Sequence, residues 1–132
     1  RFVVINDREA LEKVKKATSC TYNSQCIIAI CYQKEECWSR PFDGKLSGDI
    51  DASIACTSMM LEATELGIGS VWVMWFDNEK LKEEFSIPST LEVSSLLVLG
   101  YPTDTPTAKA RWVLIYIHFQ IYSKAYKTNK FL

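Results

Sequence analysis

The sequence has no marked excess of charge of either sign and no local motif for the commonest enzyme chemistries. It contains 15 Lys and Arg residues and 16 Asp and Glu residues, so its formal net charge is −1. This balance gives no electrostatic reason to expect nucleic acid or an anionic membrane as a partner. It has no GxGxxG, P-loop, GxSxG or HExxH motif, the patterns that indicate dinucleotide, phosphate, serine-hydrolase and zinc-protease sites. The one histidine, His118, lies in an apolar run, where a packed histidine is commoner than a catalytic one. The sequence therefore offers no candidate for a catalytic side chain.

Cysteine is present, but in no pattern typical of a metal site or of a disulfide framework. The number is odd, no two cysteines form a CxxC pair, and several lie in apolar runs; the five are Cys20, Cys26, Cys31, Cys37 and Cys56. The spacing of the first four matches no known ligand pattern, so a metal or cluster site is the less favoured alternative. We interpret the cysteines as buried, reduced thiols of a cytoplasmic protein and expect no metal.

The chain also lacks a signal peptide and a membrane span. It opens on Arg1 rather than Met, so it reads as if it starts inside a protein. Its strongest apolar run, residues 112–122, has about half the length of a membrane helix. Because such a run is an aggregation hazard if exposed, we expect the tail, residues 112–132, to pair with a sheet or with a partner subunit.

Residues 49–76 carry the clearest structural pattern. The segment 49–66 is apolar on most faces of a predicted helix, which is typical of a helix in a core or between subunits. Gly67 stands where a left-handed helix cap is expected. Residues 71–76 then run without a polar break, which predicts a strand covered on both faces.

The remaining elements alternate between strands and helices. Further strands are predicted at residues 2–5, 26–32 and 92–99 from their β-branched and apolar content. Asn6 and Asp77 are candidate caps of the two shorter helices. Alternation around a helix with so much apolar surface predicts an α+β fold, or a three-layer α/β/α sandwich.

The long connection at residues 33–48 carries two large aromatic side chains, Trp38 and Phe42, among turn residues. Loops of this length in compact domains are often functional. Because exposed aromatic surface is unfavourable without a partner, both side chains are expected either to pack on the fold or to cover a ligand. The sequence favours neither alternative.

An ordered set of short motifs between Gly48 and Asp104 resembles the FMN-dependent nitroreductase family. The set comprises an Asp-led helix, an LGIGSVW turn, a strand ending in FD, a short helix ending in IP and a strand ending in LGYP. The segment 37–44 looks like one subgroup of that family, and the opening strand also matches, so the resemblance covers residues 1–111. It implies a nitroreductase-like fold, with a central, mostly antiparallel sheet flanked by helices.

The resemblance also implies a function. Members of the family are homodimeric flavoproteins with active sites at the subunit interface. They pass electrons from NAD(P)H through FMN to nitroaromatic, quinone or similar small-molecule acceptors in a ping-pong cycle. Nucleic acid and membranes are not expected as partners, and the expected location is the cytoplasm.

The family's site residues map onto named positions of this chain. The backbone N–H groups of Met74 and Trp75 match those that approach flavin N5 and O4, where donors stabilise negative charge on the reduced ring. Lys109 and Arg111 match a pair that contacts the FMN phosphate. The alternatives are ordinary strand core for Met74 and Trp75 and a solvated basic turn for Lys109 and Arg111. The resemblance leaves Trp38 and Phe42 as candidates for a substrate pocket or lid.

Two further family segments, an Arg-Arg-Ser-x-Arg helix and an Asn-x-Gln-Pro motif, would precede Arg1. The sequence is therefore interpreted as an N-terminally truncated member. The alternative function is a non-catalytic, dimeric remnant of the same fold that holds no flavin.

Overall fold

One antiparallel sheet with helices on both faces organises the protein. The computed structural model describes residues 1–104, and the expectations for Lys109, Arg111, His118 and the tail at residues 112–132 lie outside that range. The strands are β1 (Phe2–Ile5), β2 (Cys26–Gln33), β3 (Gly69–Val73) and β4 (Leu91–Gly100), in the spatial order β1-β2-β4-β3. The helices are α1 (Arg8–Val14), α2 (Gly48–Glu65) and α3 (Asn78–Phe85), with a 3₁₀ turn at Lys34–Glu36.

The two faces of the sheet bury separate apolar clusters, which makes three layers. Helices α1 and α3 cover one face, where Val14, Leu81 and Leu96 are fully buried. Helix α2 covers the other face, where Cys56 and Leu97 are fully buried. Each fully buried large aliphatic side chain stabilises the fold by roughly 1.5–3 kcal/mol. The predicted α/β/α sandwich with an antiparallel sheet is confirmed.

Each helix boundary has a local cause. The cap of α1 is Asp7, whose carboxylate accepts from the N–H groups of Glu9 and Ala10 at 2.9 and 3.1 Å, so the prediction of Asn6 was wrong by one residue. A carboxylate at this position also interacts favourably with the helix dipole. The predicted cap of α3 is confirmed, because Asp77 Oδ1 accepts from the N–H of Lys80 at 3.0 Å.

A glycine begins helix α2 and another follows its C-terminal cap, and a side chain at either position would cause strain. A Cβ atom on Gly48 would lie 2.3 Å from the ring of Tyr32. At the other end Gly67 has a φ of 69°, and the N–H of Ile68 bonds to the carbonyl of Ala63 at 2.7 Å. The last pairing is that of a Schellman motif, which favours glycine at the left-handed position.

The prediction of a strand covered on both faces at residues 71–76 was wrong. Among residues 1–104, strand β3 is the outermost strand of the sheet; it ends at Val73 and leaves Val71 and Trp72 more than one third exposed. An apolar run alone does not distinguish an edge strand from a central one. In the single chain α2 is likewise covered on one side only, since Ile50 and Ile54 are exposed.

No helix within residues 1–104 combines the length and the apolar character that crossing a bilayer requires.

Candidate functional site

The chain leaves β3 through a segment in which a buried side chain, Val73, and a partly buried one, Phe76, flank two exposed side chains. Val73 is 4% exposed, and Phe76 packs against the core under α1 and α3. Between them Met74 and Trp75 are 72% and 78% exposed. We call residues 73–77 the β3 exit. It places a thioether and an indole on the surface of an otherwise anchored backbone.

Hydrogen bonds fix the backbone of the β3 exit. The N–H of Phe76 donates to the carbonyl of Met74 at 3.2 Å, a three-residue turn centred on Trp75. Trp75 is not among the residues with positive φ, so the turn is the inverse form that is common at strand ends. Within residues 1–104, neither the N–H of Met74 nor that of Trp75 donates a hydrogen bond. Two backbone donors are therefore available to a ligand.

The segment after α1 holds the same backbone from the side. The Thr18 hydroxyl donates to the carbonyl of Trp75, and the carbonyl of Ala17 accepts from the N–H of Asp77 at 2.9 Å. Thr18 is itself buried. The backbone at the β3 exit is thus tied to the segment that follows α1, which is distant in sequence.

A β-bulge in β4 lies beside the β3 exit and explains why β3 ends there. The pairing of β4 with β2 changes register between Ile30↔Ser95 and Cys31↔Val93, which leaves Ser94 as the extra residue. The last pair of β3 with β4 is Val73↔Leu96, immediately before the bulge. Bulges bend a strand, disrupt its pairing and re-aim side chains, and they are frequent near active sites.

The bulge connects β4 to the start of α2. Ser94 Oγ donates to Asp49 Oδ1 at 2.8 Å, and the Tyr32 hydroxyl makes a long contact of 3.5 Å with Asp49 Oδ2. Burial, followed by the neighbouring Asp49 carboxylate, raises the pKa of Tyr32. The carboxylate of Asp49 lies at the N-terminus of α2, where the helix dipole favours a negative charge.

An apolar groove runs between α2 and the edge strand. It has a volume of about 490 Å³, and Ile50, Ile54 and Trp72 form much of its wall. Asp49, Ser53, Thr57 and Ser58 supply its polar groups. The groove adjoins the β3 exit, because Trp72 is the last residue but one of β3.

The two aromatic residues of the long connection lie on a small hairpin. Ser39 bridges Leu46, and the N–H of Ser47 donates to the carbonyl of Trp38 at 2.9 Å. The Arg40 guanidinium pairs with the Asp43 carboxylate across the turn and holds the pKa of that carboxyl below its usual value. Phe42 is 95% exposed, so the alternative in which it packs on the fold is wrong for this chain.

The five cysteines lie outside residues 73–77, which form the β3 exit. All five are free thiols, but only Cys31 and Cys56 are buried, so the prediction of buried thiols was wrong for Cys20, Cys26 and Cys37. Partial or complete burial raises the pKa of Cys26, Cys31 and Cys56. Protonated thiols are poor nucleophiles and poor metal ligands. Among residues 1–104, no cluster of three or more His, Cys, Asp or Glu side chains could hold a metal ion.

Of the predicted site residues, the structure places Met74 and Trp75 side by side at the β3 exit and Trp38 and Phe42 on the hairpin that precedes α2. Sequence reasoning missed Thr18, which contacts a residue 57 positions away. No local signal identifies such a contact. The Ser94–Ser95 pair, two adjacent polar residues in the middle of β4, was a detectable sign of the bulge.

Comparison with known proteins agrees with this architecture. The model of the nitroreductase family matches residues 21–101. A relative from Archaeoglobus fulgidus, named as an NADH dehydrogenase/NAD(P)H nitroreductase, is 34% identical over an alignment of 110 residues that covers 78% of this chain and 61% of the relative. A similarly named relative from Methanothermobacter thermautotrophicus is 31% identical, over 80% of this chain and 56% of its own length. The chain thus spans less than two thirds of either curated relative.

Solved structures of the family superpose on the same elements. A nitroreductase family protein from Clostridium difficile is 42% identical, with a TM-score of 0.83 over 89% of this chain and 70% of its own. An FMN-dependent nitroreductase from Clostridium difficile is 28% identical, with a TM-score of 0.66 over 89% of this chain and 71% of its own. The ordered motifs, the α/β/α fold and these matches agree, and the chain belongs to the nitroreductase family.

Proposed function

We propose that the protein is an FMN-dependent oxidoreductase that passes electrons from NAD(P)H to nitroaromatic, quinone or similar small-molecule acceptors in a ping-pong cycle. The observation that carries the proposal is the β3 exit, where Met74 and Trp75 present two backbone N–H groups without partners in residues 1–104. Family membership supports it, as does the FMN dependence named for one solved relative.

The β3 exit fits a flavin chemically. An isoalloxazine ring has two large apolar faces. It also has a polar edge whose atoms accept hydrogen bonds. The exit offers N–H donors from the backbone beside the exposed side chains of Met74 and Trp75. FMN, when bound, supplies the electron-transfer chemistry, and the protein positions the ring and tunes its electronics.

The chain's own residues have distinct roles in this proposal. Fixed N–H donors at Met74 and Trp75 stabilise negative charge on the ring edge. The two side chains exclude water from that edge. Lys109 and Arg111 are proposed to bind the FMN phosphate, since Arg binds phosphate oxygens in a bidentate manner. The hairpin carrying Trp38 and Phe42 is proposed as part of the substrate pocket or its lid.

The proposal includes a homodimer. The outer face of α2 exposes Ile50 and Ile54 beside the groove, and a second copy of the chain is the proposed occupant. Apolar patches of this kind mark interaction surfaces more often than free surface. Five free thiols fit a reducing compartment, so the cytoplasm is the proposed location.

FMN titration of the purified 132-residue chain tests the function. We expect a flavin absorbance band that co-migrates with the protein and a concentration-dependent rise in the midpoint of thermal unfolding. Ligand at about 100 times its dissociation constant adds roughly 2.7 kcal/mol to the free energy of unfolding. Oxidation of NAD(P)H with a quinone should then exceed that of free FMN. A folded chain that neither retains nor responds to FMN would contradict the proposal and favour the non-catalytic alternative.

A further inference from the structure

A threonine remote in sequence supports the backbone from which the proposed flavin donors project. Thr18 is 5% exposed. Its Oγ1 donates to the carbonyl of Trp75 at 2.5 Å and accepts from the N–H of Cys20 at 3.0 Å. The side chain is therefore a fixed bridge between the end of α1 and the β3 exit.

The bridge acts on two successive peptide groups. The Trp75 carbonyl and the Phe76 N–H belong to one peptide plane, so the Thr18 bond orients both of them. The Phe76 N–H donates to the Met74 carbonyl at 3.2 Å, and that carbonyl shares its plane with the Trp75 N–H. The orientation of the Trp75 N–H thus depends, through two hydrogen bonds, on the Thr18 hydroxyl.

The turn needs such support. A three-residue turn is closed by a single hydrogen bond between residues two apart, and here that bond is at the long end of the usual N–H···O range. Without the hydroxyl, the Trp75 carbonyl would lose its one recorded protein donor in residues 1–104. The peptide groups at Met74 and Trp75 could then rotate more freely.

We propose that Thr18 is a positioning residue of the flavin site: its hydroxyl holds the Trp75 peptide so that the Trp75 N–H remains oriented toward the ligand. This inference rests on the proposed function, because it assumes that FMN binds at the β3 exit. Thr18 touches neither the cofactor nor the substrate in this account. Its effect is transmitted through the backbone.

Three variants separate positioning from general stability. Thr18→Val keeps the shape of the side chain and removes the hydroxyl, whereas Thr18→Ser keeps the hydroxyl. Thr21→Val is the matched control, since Thr21 is also a buried threonine of the α1–β2 connection and makes no recorded hydrogen bond to residues 74–77. The flavin-free chain and the FMN complex are both measured.

In the flavin-free chain, we expect amide hydrogen exchange at Phe76 to accelerate in Thr18→Val but not in Thr18→Ser or Thr21→Val. In the FMN complex, we expect Thr18→Val to weaken FMN binding about threefold to tenfold, the equivalent of one hydrogen bond. The midpoint potential of bound flavin should become more negative, because a less well-oriented donor stabilises the reduced ring less. Thr18→Ser should restore both values.

The outcomes distinguish this inference from the proposed function. If the wild-type chain binds FMN and Thr18→Val leaves exchange, affinity and potential unchanged, the role of Thr18 is contradicted and the function stands. An equal loss in Thr21→Val would also overturn it, as a general packing effect. If the wild-type chain binds no FMN, both fail. If Thr18→Val does not fold, Thr18→Ser decides: a weakened FMN complex with this variant contradicts the role of the hydroxyl.

Discussion

Ser94 Oγ lies 2.8 Å from Asp49 Oδ1 and donates a hydrogen bond to it, which joins the β-bulge of β4 to the first turn of α2. The contact spans the sheet and the helix layer beside the β3 exit. The contact forms because the bulge makes Ser94 an extra residue and directs its hydroxyl toward α2. Regular pairing of β4 with β2 would not direct this side chain in the same way.

We predict that Ser94→Ala lowers the free energy of unfolding by about 1 kcal/mol, the usual net contribution of one hydrogen bond. Asp49→Asn should lower the free energy of unfolding by less, because the amide oxygen can still accept the hydrogen bond from Ser94. The remaining cost is the loss of the favourable negative charge at the N-terminus of α2. Chemical denaturation of the two single variants and the double variant provides the check. Strict additivity of their effects would mean that the two side chains do not interact.

Gly48→Ala should destabilise the protein by roughly 1–3 kcal/mol, the range for overpacking a filled site. A Cβ at this position would lie 2.3 Å from the Tyr32 ring, so the ring or the start of α2 must shift. Gly44→Ala is the matched control, since that position has a φ of 70° but open space around it. Thermal unfolding should show a backbone cost of about 1–2 kcal/mol for Gly44→Ala. Full recovery of the Gly48→Ala loss by Tyr32→Ala would support the clash, and no recovery would exclude it.

Glu92 makes the stability of the fold depend on pH in the acidic range. Its carboxylate accepts from Lys34 Nζ at 2.9 Å and from Lys82 Nζ at 3.2 Å, and these bonds hold the pKa of Glu92 below its usual value. A depressed pKa in the folded state gives stability that is fully present above the unfolded pKa, about 4.3. That stability is lost as the pH falls through the folded pKa.

Glu92→Gln should therefore lower the free energy of unfolding by about 1 kcal/mol at pH 7 and by much less near pH 3. Denaturation curves of both proteins at several pH values test the prediction. A difference between the two proteins that stays constant from pH 7 to pH 3 would show that the charge of Glu92 contributes nothing.

Much of the fold could be predicted from the sequence, because it depends on local patterns. Gly67 and Asp77 have the residue types that a helix end and a helix start require, and both act as predicted. The edge position of β3 could not be predicted, since Val71 and Trp72 would look the same in a central strand. Asp7 and Asn6 are both good cap residues, and only the hydrogen bonds that the Asp7 carboxylate accepts from Glu9 and Ala10 distinguish them.

Less of the candidate site than of the fold could be predicted from the sequence. The family resemblance, rather than any pattern of spacing, pointed to Met74 and Trp75. The residues that hold this backbone, such as Thr18, contact it across long sequence separations. Tertiary contacts of this kind leave no periodic trace in the sequence, so only the three-dimensional arrangement reveals them.

The central claim is that backbone donors at the β3 exit bind FMN, and substitution of Trp75 isolates one of them. Trp75→Pro removes the N–H, while the φ that proline imposes, near −65°, suits the centre of an inverse three-residue turn. Trp75→Ala keeps the N–H and removes the indole. Because the indole is largely exposed, neither change deletes core packing.

The most direct measurement is therefore the FMN dissociation constant of the wild-type, Trp75→Ala and Trp75→Pro chains, each first shown to be folded by circular dichroism. We predict that Trp75→Pro binds FMN about tenfold more weakly than Trp75→Ala, the equivalent of roughly 1.4 kcal/mol for a lost hydrogen bond to the ring edge. Equal dissociation constants for the two variants, or a wild-type chain that does not bind FMN, would contradict the account.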